Sequence, residues 1–279
     1  MEGMHVATSD AITVSQLSRL VGTPDAPLVL DVRTDGDRCS DPRVLPASIR
    51  RDHRSVSSWA GEFANRSAVV VCQHGTKLSQ GVASWLRQAG ARAEYLEGGF
   101  EAWTGAKGLL VNPTHVPERD GKGRTVWVTR TRPKIDRIAC PWLIRRFVDP
   151  GAVFLFVAPS EVAAVATEFG ATPFDIEGVF WSHRGDTCTF DVMLDQFGLH
   201  SAALDRLAAI VRAADTNQPD PAPQAAGLLA ASLGFSRMIR DDLAQLAAMM
   251  SLYDAFYRWA RDATAEAHSW PHSSFGGRT

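Results

Sequence analysis

Apolar runs of membrane-spanning length are missing from this 279-residue sequence. None approaches the ~18–20 residues that cross a bilayer, so no membrane partner is expected. A surplus of basic charge is missing too. Lys and Arg total 29 against 31 Asp and Glu, a formal net charge of −2. Proteins that grip nucleic acid through its phosphates usually carry such a surplus, and nucleic acid is therefore not expected as a partner. Cysteines number four, Cys39, Cys72, Cys140 and Cys188, with no Cys-x-x-Cys pair. That spread describes free thiols in a reducing compartment rather than a disulfide framework. The polar start, Met1-Glu2-Gly3-Met4-His5, lacks the basic residues and apolar run of a secretory signal. A cytoplasmic location is the expectation.

What is present fits two domains, since domains commonly run ~100–200 residues. Thr13-Val14-Ser15-Gln16 is a capping-box pattern, followed by Leu17, Leu20 and Val21 at helical spacing and by Gly22 as a stop. Leu28-Val29-Leu30-Asp31-Val32 and Ala68-Val69-Val70-Val71 are continuous apolar runs of strand length, typical of a buried parallel sheet. A helix over residues 79–89 and a short strand over 93–96 follow, so the first domain, 8–108, reads as α/β. Gly105, Gly108, Pro113, Pro117, Gly121 and Gly123 mark a linker over 109–123. Thr125-Val126-Trp127-Val128-Thr129 alternates as a strand opening a second domain, 124–263. Helices are expected over 139–147, 160–169, around Leu204 to Val211, over 225–233 and over 236–263, with a break at Pro219-Asp220-Pro221. This second domain is α+β with a helical C-terminal half. Residues 264–279 read as a flexible tail.

The segment Cys72-Gln73-His74-Gly75-Thr76-Lys77-Leu78-Ser79 lies between a strand and an amphipathic helix. A cysteine there faces unpaired backbone N–H groups and the positive end of the helix dipole. Both favour thiolate over thiol, and the same N–H groups cradle an anion carried on the sulfur. Gly75 permits the tight loop, and His74 and Lys77 add positive charge. The alternative is an inert cysteine packed at a strand end, which is the commoner fate of a lone thiol.

Three segments together resemble the rhodanese (sulfurtransferase) family over residues 9–107. They are Val29-Leu30-Asp31-Val32-Arg33, the loop 71–79, and Leu96-Glu97-Gly98-Gly99-Phe100-Glu101-Ala102-Trp103. The resemblance implies a rhodanese-like parallel sheet with flanking helices. It implies that Cys72 cycles through a persulfide, taking sulfur from a thiosulfate-like donor and passing it to a thiol acceptor. Gln73, His74, Gly75, Thr76, Lys77 and Leu78 would line the substrate loop, with Asp31 and Arg33 supporting it. In phosphatases of the Cys-x5-Arg type the seventh loop position is Arg; here it is Leu78. Lys77 stands sixth, where the sulfurtransferases commonly carry Arg, so the bidentate fork is lost.

Arg130, Arg132, Lys134, Arg137, Arg145 and Arg146 fall within 17 positions. Such a cluster either receives an oxyanion, with Arg145 and Arg146 as candidates, or forms a solvated face paired internally to Asp136 and Asp149. His183-Arg184-Gly185-Asp186-Thr187-Cys188-Thr189-Phe190-Asp191 concentrates ligand-type residues. His183, Cys188 and Asp191 are the candidate ligands of a transition metal, with Asp215 able to complete the set; a polar turn with a capping Asp is the alternative. Asp136-Arg137-Ile138-Ala139, Trp142 to Phe147, the 183–191 segment and Tyr253-Asp254 together resemble the C-terminal domain of the chromate-resistance (ChrB-type) family over residues 124–261. That resemblance implies association with chromate. Two functions compete: a sulfurtransferase tied to resistance against a metal oxyanion, and a chromate- or redox-responsive sensor whose rhodanese-like domain is catalytically weak.

Overall fold

The computed structural model describes residues 10–216 and 222–266. The break expected at Pro219-Asp220-Pro221 lies outside them, as does the expected tail from residue 267 onward. The N-terminal half is built from β1 (Ala11–Ile12), α1 (Val14–Leu20), β2 (Leu28–Asp31), α2 (Asp35–Ser40), β3 (Ile49–Arg50), α3 (Val56–Trp59), β4 (Ser67–Val71), α4 (Lys77–Gln88), β5 (Arg92–Leu96) and α5 (Gly99–Gly105). Its five strands are all parallel, in the order β1-β5-β4-β2-β3. This is the α/β sheet that the apolar strand runs imply. The expected capping box closes α1, with Thr13 and Gln16 exchanging side-chain and backbone hydrogen bonds.

Successive residues of β4 point to opposite faces, which places Cys72 on the side of Ala68 and Val70. That side packs with Leu30, Val56, Trp59, Val82 and Leu86, the last two from α4. The other face, carrying Val69 and Val71, joins Leu17, Phe100 and Trp103.

The second half contains β6 (Val126–Arg130), α6 (Asp136–Leu143), β7 (Val153–Val157), α7 (Val162–Phe169), β8 (Thr172–Pro173), α8 (Thr189–Phe197), α9 (Ala202–Asp215), α10 (Gln224–Met238) and α11 (Asp242–Arg258). A three-stranded parallel sheet, β7-β6-β8, is followed by helices α8 to α11, giving the α+β character with a helical C-terminal half. Helix α7 covers one face through Val162 beside Val128. Trp127, Phe154 and Phe174 occupy the opposite face, in a core with α6 and α8 residues. That core is continuous with the Val69 face of the first sheet. Among the described residues no helix is long and apolar enough to cross a membrane.

Three sequence expectations shift. The helix expected over 139–147 starts three residues earlier, at Asp136, so Pro141 lies inside it rather than in its first turn. Proline has no N–H to return to the preceding turn, and the helix passes into a wider π turn at Ile144–Val148. The continuous helix expected over 236–263 is broken between α10 and α11. Asp241 caps α11 by accepting the Ala244 N–H at 2.7 Å, and Arg132 takes the carbonyls of Ser236, Ile239 and Arg240 that α10 leaves free. The segment 109–123 is fixed at its start. Val111 is buried and pairs with Val44, and the Asn112 N–H donates to the Phe197 carbonyl at 2.8 Å.

Candidate functional site

Cys72 follows β4 directly and α4 begins five residues later. The intervening loop is held by α5. Its Phe100 and Glu101 N–H groups donate to the carbonyls of Cys72 and Gln73, at 2.9 and 3.1 Å. Both glycines of this contact have left-handed backbone, Gly75 at φ 66° and Gly99 at φ 62°. A Cβ on Gly99 would stand 2.3 Å from the Cys72 carbonyl oxygen, and one on Gly75 would stand 2.5 Å from that of Leu96. Close backbone approach therefore requires glycine at both places.

None of the backbone N–H groups from Gln73 to Leu78 finds an acceptor among the described residues. Cys72 as a residue is 3% exposed, and the hydrogen bond of its sulfur runs to a hydroxyl rather than to an amide: the Cys72 thiol donates to Ser79 Oγ at 3.1 Å. Ser79, buried in α4, in turn donates to the Thr76 carbonyl at 3.2 Å. Sequence reasoning placed Ser79 at the end of the loop without giving it a role. His74 Nδ1 lies 3.1 Å from Glu101, which also accepts from Gln73 at 3.3 Å.

Asp31 and Arg33 sit at the end of β2 and are buried. The Arg33 guanidinium is bidentate to Asp31, donates to the carbonyls of Asp41 and Arg43, and stacks 3.7 Å above the Phe100 ring. It reaches the cysteine loop through Phe100, whose backbone holds the Cys72 carbonyl.

A second concentration of polar groups lies at the carboxyl ends of β6 and β8. His183 Nε2 stands 3.5 Å from Asp136 Oδ2, 3.3 Å from Asp175 Oδ1 and 3.4 Å from Asp215 Oδ2. Asp136, Asp175 and His183 form a group able to hold a metal ion. Asp136 opens α6, and its Oδ2 also accepts the Thr189 N–H at 2.6 Å. Asp175 follows β8 with φ 52° and pairs with Arg137 and Arg130. Ile135, just before Asp136, has φ 27°, a conformation that a β-branched residue adopts only when its surroundings impose it. Burial, helped by Asp215 and Asp175, pushes the Asp136 carboxyl well above the usual carboxylate range. The His183 imidazole is pushed up to about 9, chiefly by its hydrogen bond to Asp175.

The other candidates lie differently. Cys188 is fully buried, with burial pushing its thiol up, and it caps α8 together with Asp191. Asp191 turns to Arg212, at 2.6 Å, and to the Cys188 N–H, so it stands apart from the His183 group. Arg146 is bidentate to Asp254, and Arg145 lies 5.0 Å above the Phe154 ring. The partners expected for the cationic cluster are replaced. Asp149 pairs with Arg119, Asp136 with His183, and the cluster's own partners are Asp175 and Asp254. Asp175 escaped the sequence reading; its only local signal is an acid directly after the apolar strand exit Pro173-Phe174.

Comparison with known proteins gives two family matches. Residues 13–106 match the rhodanese-like domain, and residues 127–260 match the ChrB C-terminal domain. Protein ChrB of Cupriavidus metallidurans is 34% identical over 181 residues, covering 61% of this chain and 53% of that protein. The chain thus spans about half the length of this curated relative. Three solved structures align with about a third of the chain. A Staphylococcus saprophyticus protein is 26% identical, with 33% of this chain and 90% of that chain covered and a TM-score of 0.30. For a rhodanese-related protein from Thermoplasma volcanium the values are 22%, 36%, 96% and 0.32. For a rhodanese-like domain protein from Staphylococcus aureus they are 24%, 34%, 90% and 0.31. The chain carries a rhodanese-like domain followed by a ChrB C-terminal domain.

Proposed function

We propose that the protein is a rhodanese-type sulfurtransferase that carries sulfane sulfur as a Cys72 persulfide, in association with resistance to chromate. The observation that carries this reading is the loop after Cys72, whose amides from Gln73 to Leu78 have no acceptor among the described residues. Unpaired amides at a helix start stabilise negative charge at the sulfur and on the group attached to it.

In the first half-reaction the Cys72 thiolate attacks the outer sulfur of a thiosulfate-like donor. The donor S–S bond breaks, sulfite leaves with the bonding electrons, and Cys72 becomes a persulfide whose terminal sulfur is anionic. An acceptor thiolate then attacks that terminal sulfur, and Cys72 leaves as thiolate. Lys77 contributes a point charge toward the donor's oxygens, and the loop amides from Gln73 to Leu78 supply hydrogen bonds. Asp31 and Arg33 act through Phe100 by fixing the loop's far side. The Ser79 hydroxyl accepts from the thiol. On ionisation it can turn its proton from the Thr76 carbonyl to the sulfur. We place this chemistry in a domain spanning 8–108 and the chromate-related role in residues 124–263, the second assignment resting on the resemblance of that segment to the chromate-resistance family.

The test is mass spectrometry of the full chain after incubation with thiosulfate. One added sulfur atom on the wild type and none on Cys72→Ser is the expected result. Equal loading of both proteins, or loading of neither, would sink the reading.

A further inference from the structure

We propose that Asp136, Asp175 and His183 form a binding site for one divalent first-row transition-metal ion, with Asp215 beside it. The site is independent of the Cys72 chemistry.

Three separate stretches of the chain bring their polar tips to one point. Ligands about 2.0–2.2 Å from a shared ion stand roughly 3.0–3.5 Å from one another when the angles between them are near 90–110°. The Asp136 and Asp175 oxygens lie 3.5 and 3.3 Å from His183 Nε2, the spacing of neighbouring donors around one centre. The donor set is one imidazole nitrogen and two carboxylates, with solvent able to fill the remaining positions. Such a set suits Mn2+, Fe2+ or Zn2+ rather than the soft ions that thiolates select.

A second observation points the same way. Asp136 is 1% exposed, and its Oδ1 has no hydrogen-bond partner. Its Oδ2 is already shared between the Thr189 N–H and His183. A buried carboxylate oxygen left without a donor is costly, and a cation supplies what the protein does not. The ligands are also held from behind, as metal-binding carboxylates usually are. The Thr189 hydroxyl donates to Asp175 Oδ1 at 3.0 Å, and Arg137 fixes Asp175 Oδ2 at 3.2 Å.

Access is open on one side. His183 lines a surface cleft of about 310 Å³ together with Asp186, Arg212 and Thr216, so an ion can enter beside the imidazole. The competing occupant of this position is a proton on His183, and the experiment separates the two.

The full chain, stripped with a chelator and dialysed, is titrated with Mn2+ while free Mn2+ is followed by electron paramagnetic resonance. Zn2+ is titrated in parallel by calorimetry. Saturable binding of one ion per chain is expected. Asp136→Asn, which keeps the oxygen that accepts from Thr189, should weaken it by on the order of 100-fold or more. His183→Ala, at a half-exposed side chain, should do the same, while Asp186→Asn in the same cleft should leave it unchanged. Circular dichroism confirms that each variant is folded. Failure of the wild type to take up either ion stoichiometrically would overturn the proposal in favour of the protonated histidine. Wild-type affinity in both Asp136→Asn and His183→Ala would overturn it as well. Neither result bears on persulfide loading at Cys72.

Discussion

Ser79, inside α4, makes the side-chain hydrogen bond to the sulfur of the candidate nucleophile. In the neutral state it accepts from the Cys72 thiol and donates to Thr76. Once the sulfur is charged, the reoriented hydroxyl makes a charge-assisted hydrogen bond, about twice as strong as a neutral one. The difference is worth about 1 kcal/mol, or roughly fivefold in the rate of a step in which the sulfur acts as an anion. Ser79→Ala is therefore expected to react with iodoacetamide about fivefold more slowly at Cys72 near neutral pH. An unchanged or faster rate would show that the hydroxyl favours the thiol instead. At the other site, Arg145 and Arg146 illustrate how charge that looks available in sequence is consumed. Arg146 is committed to Asp254, which also accepts the Trp142 indole N–H at 2.8 Å. An external oxyanion would have to displace that carboxylate.

Between β5 and α5 the paired glycines Gly98 and Gly99 let one element lie against the backbone of another. Gly99→Ala places a methyl 2.3 Å from the Cys72 carbonyl oxygen and 2.4 Å from the Gly75 nitrogen, at a left-handed φ. We expect a loss of about 2–4 kcal/mol in urea unfolding, together with weaker sulfur loading, because the loop itself has to move. Gly81→Ala in the middle of α4 meets nothing within 4 Å and should stabilise by about 0.5–1 kcal/mol. Equal effects of the two substitutions would refute the close-approach argument. At the entry to β6, Asp120 accepts the backbone N–H groups of Lys122 and Arg124 and pairs with the Arg124 guanidinium. Those bonds lower its carboxyl to about 2 from an ordinary value of 3.8. A depressed folded value means that its contribution is present above pH 3.8 and is lost as pH falls through about 2. Carboxyl NMR titration of Asp120 should give a midpoint near 2, and a midpoint near 3.8 would show that the turn does not hold in solution.

Across the whole molecule, one apolar core joins the two halves. The outer face of the first sheet, with Leu17, Val69 and Trp103, belongs to the same cluster as Trp142, Phe147 and Tyr257. Gly22 sits at this junction, where an added Cβ would stand 2.3 Å from the Phe147 ring. The Ala47 N–H donates to the Phe147 carbonyl, and the Arg261 guanidinium reaches the Val21 carbonyl. Separate domains with a flexible linker would unfold separately. A shared core predicts one cooperative transition in calorimetry, and two resolved peaks would contradict it.

Local signals carried much of this structure. Continuous apolar runs announced β2 and β4, a capping box announced α1, and the order of strand, cysteine, glycine loop and helix placed Cys72 in the loop between β4 and α4. Those features depend on neighbours within a few positions, which is why the sequence by itself determined them. Tertiary structure alone decided the rest. Asp136, Asp175, His183 and Asp215 come from the start of one helix, two loops and the end of another helix, and no periodicity links them. Only the packing of α6, α8 and α9 around the second sheet brings their oxygens within 3.5 Å of one imidazole. The same packing turned Asp191 toward Arg212 and closed Arg146 onto Asp254, because a buried charge takes the partner that the fold brings within reach.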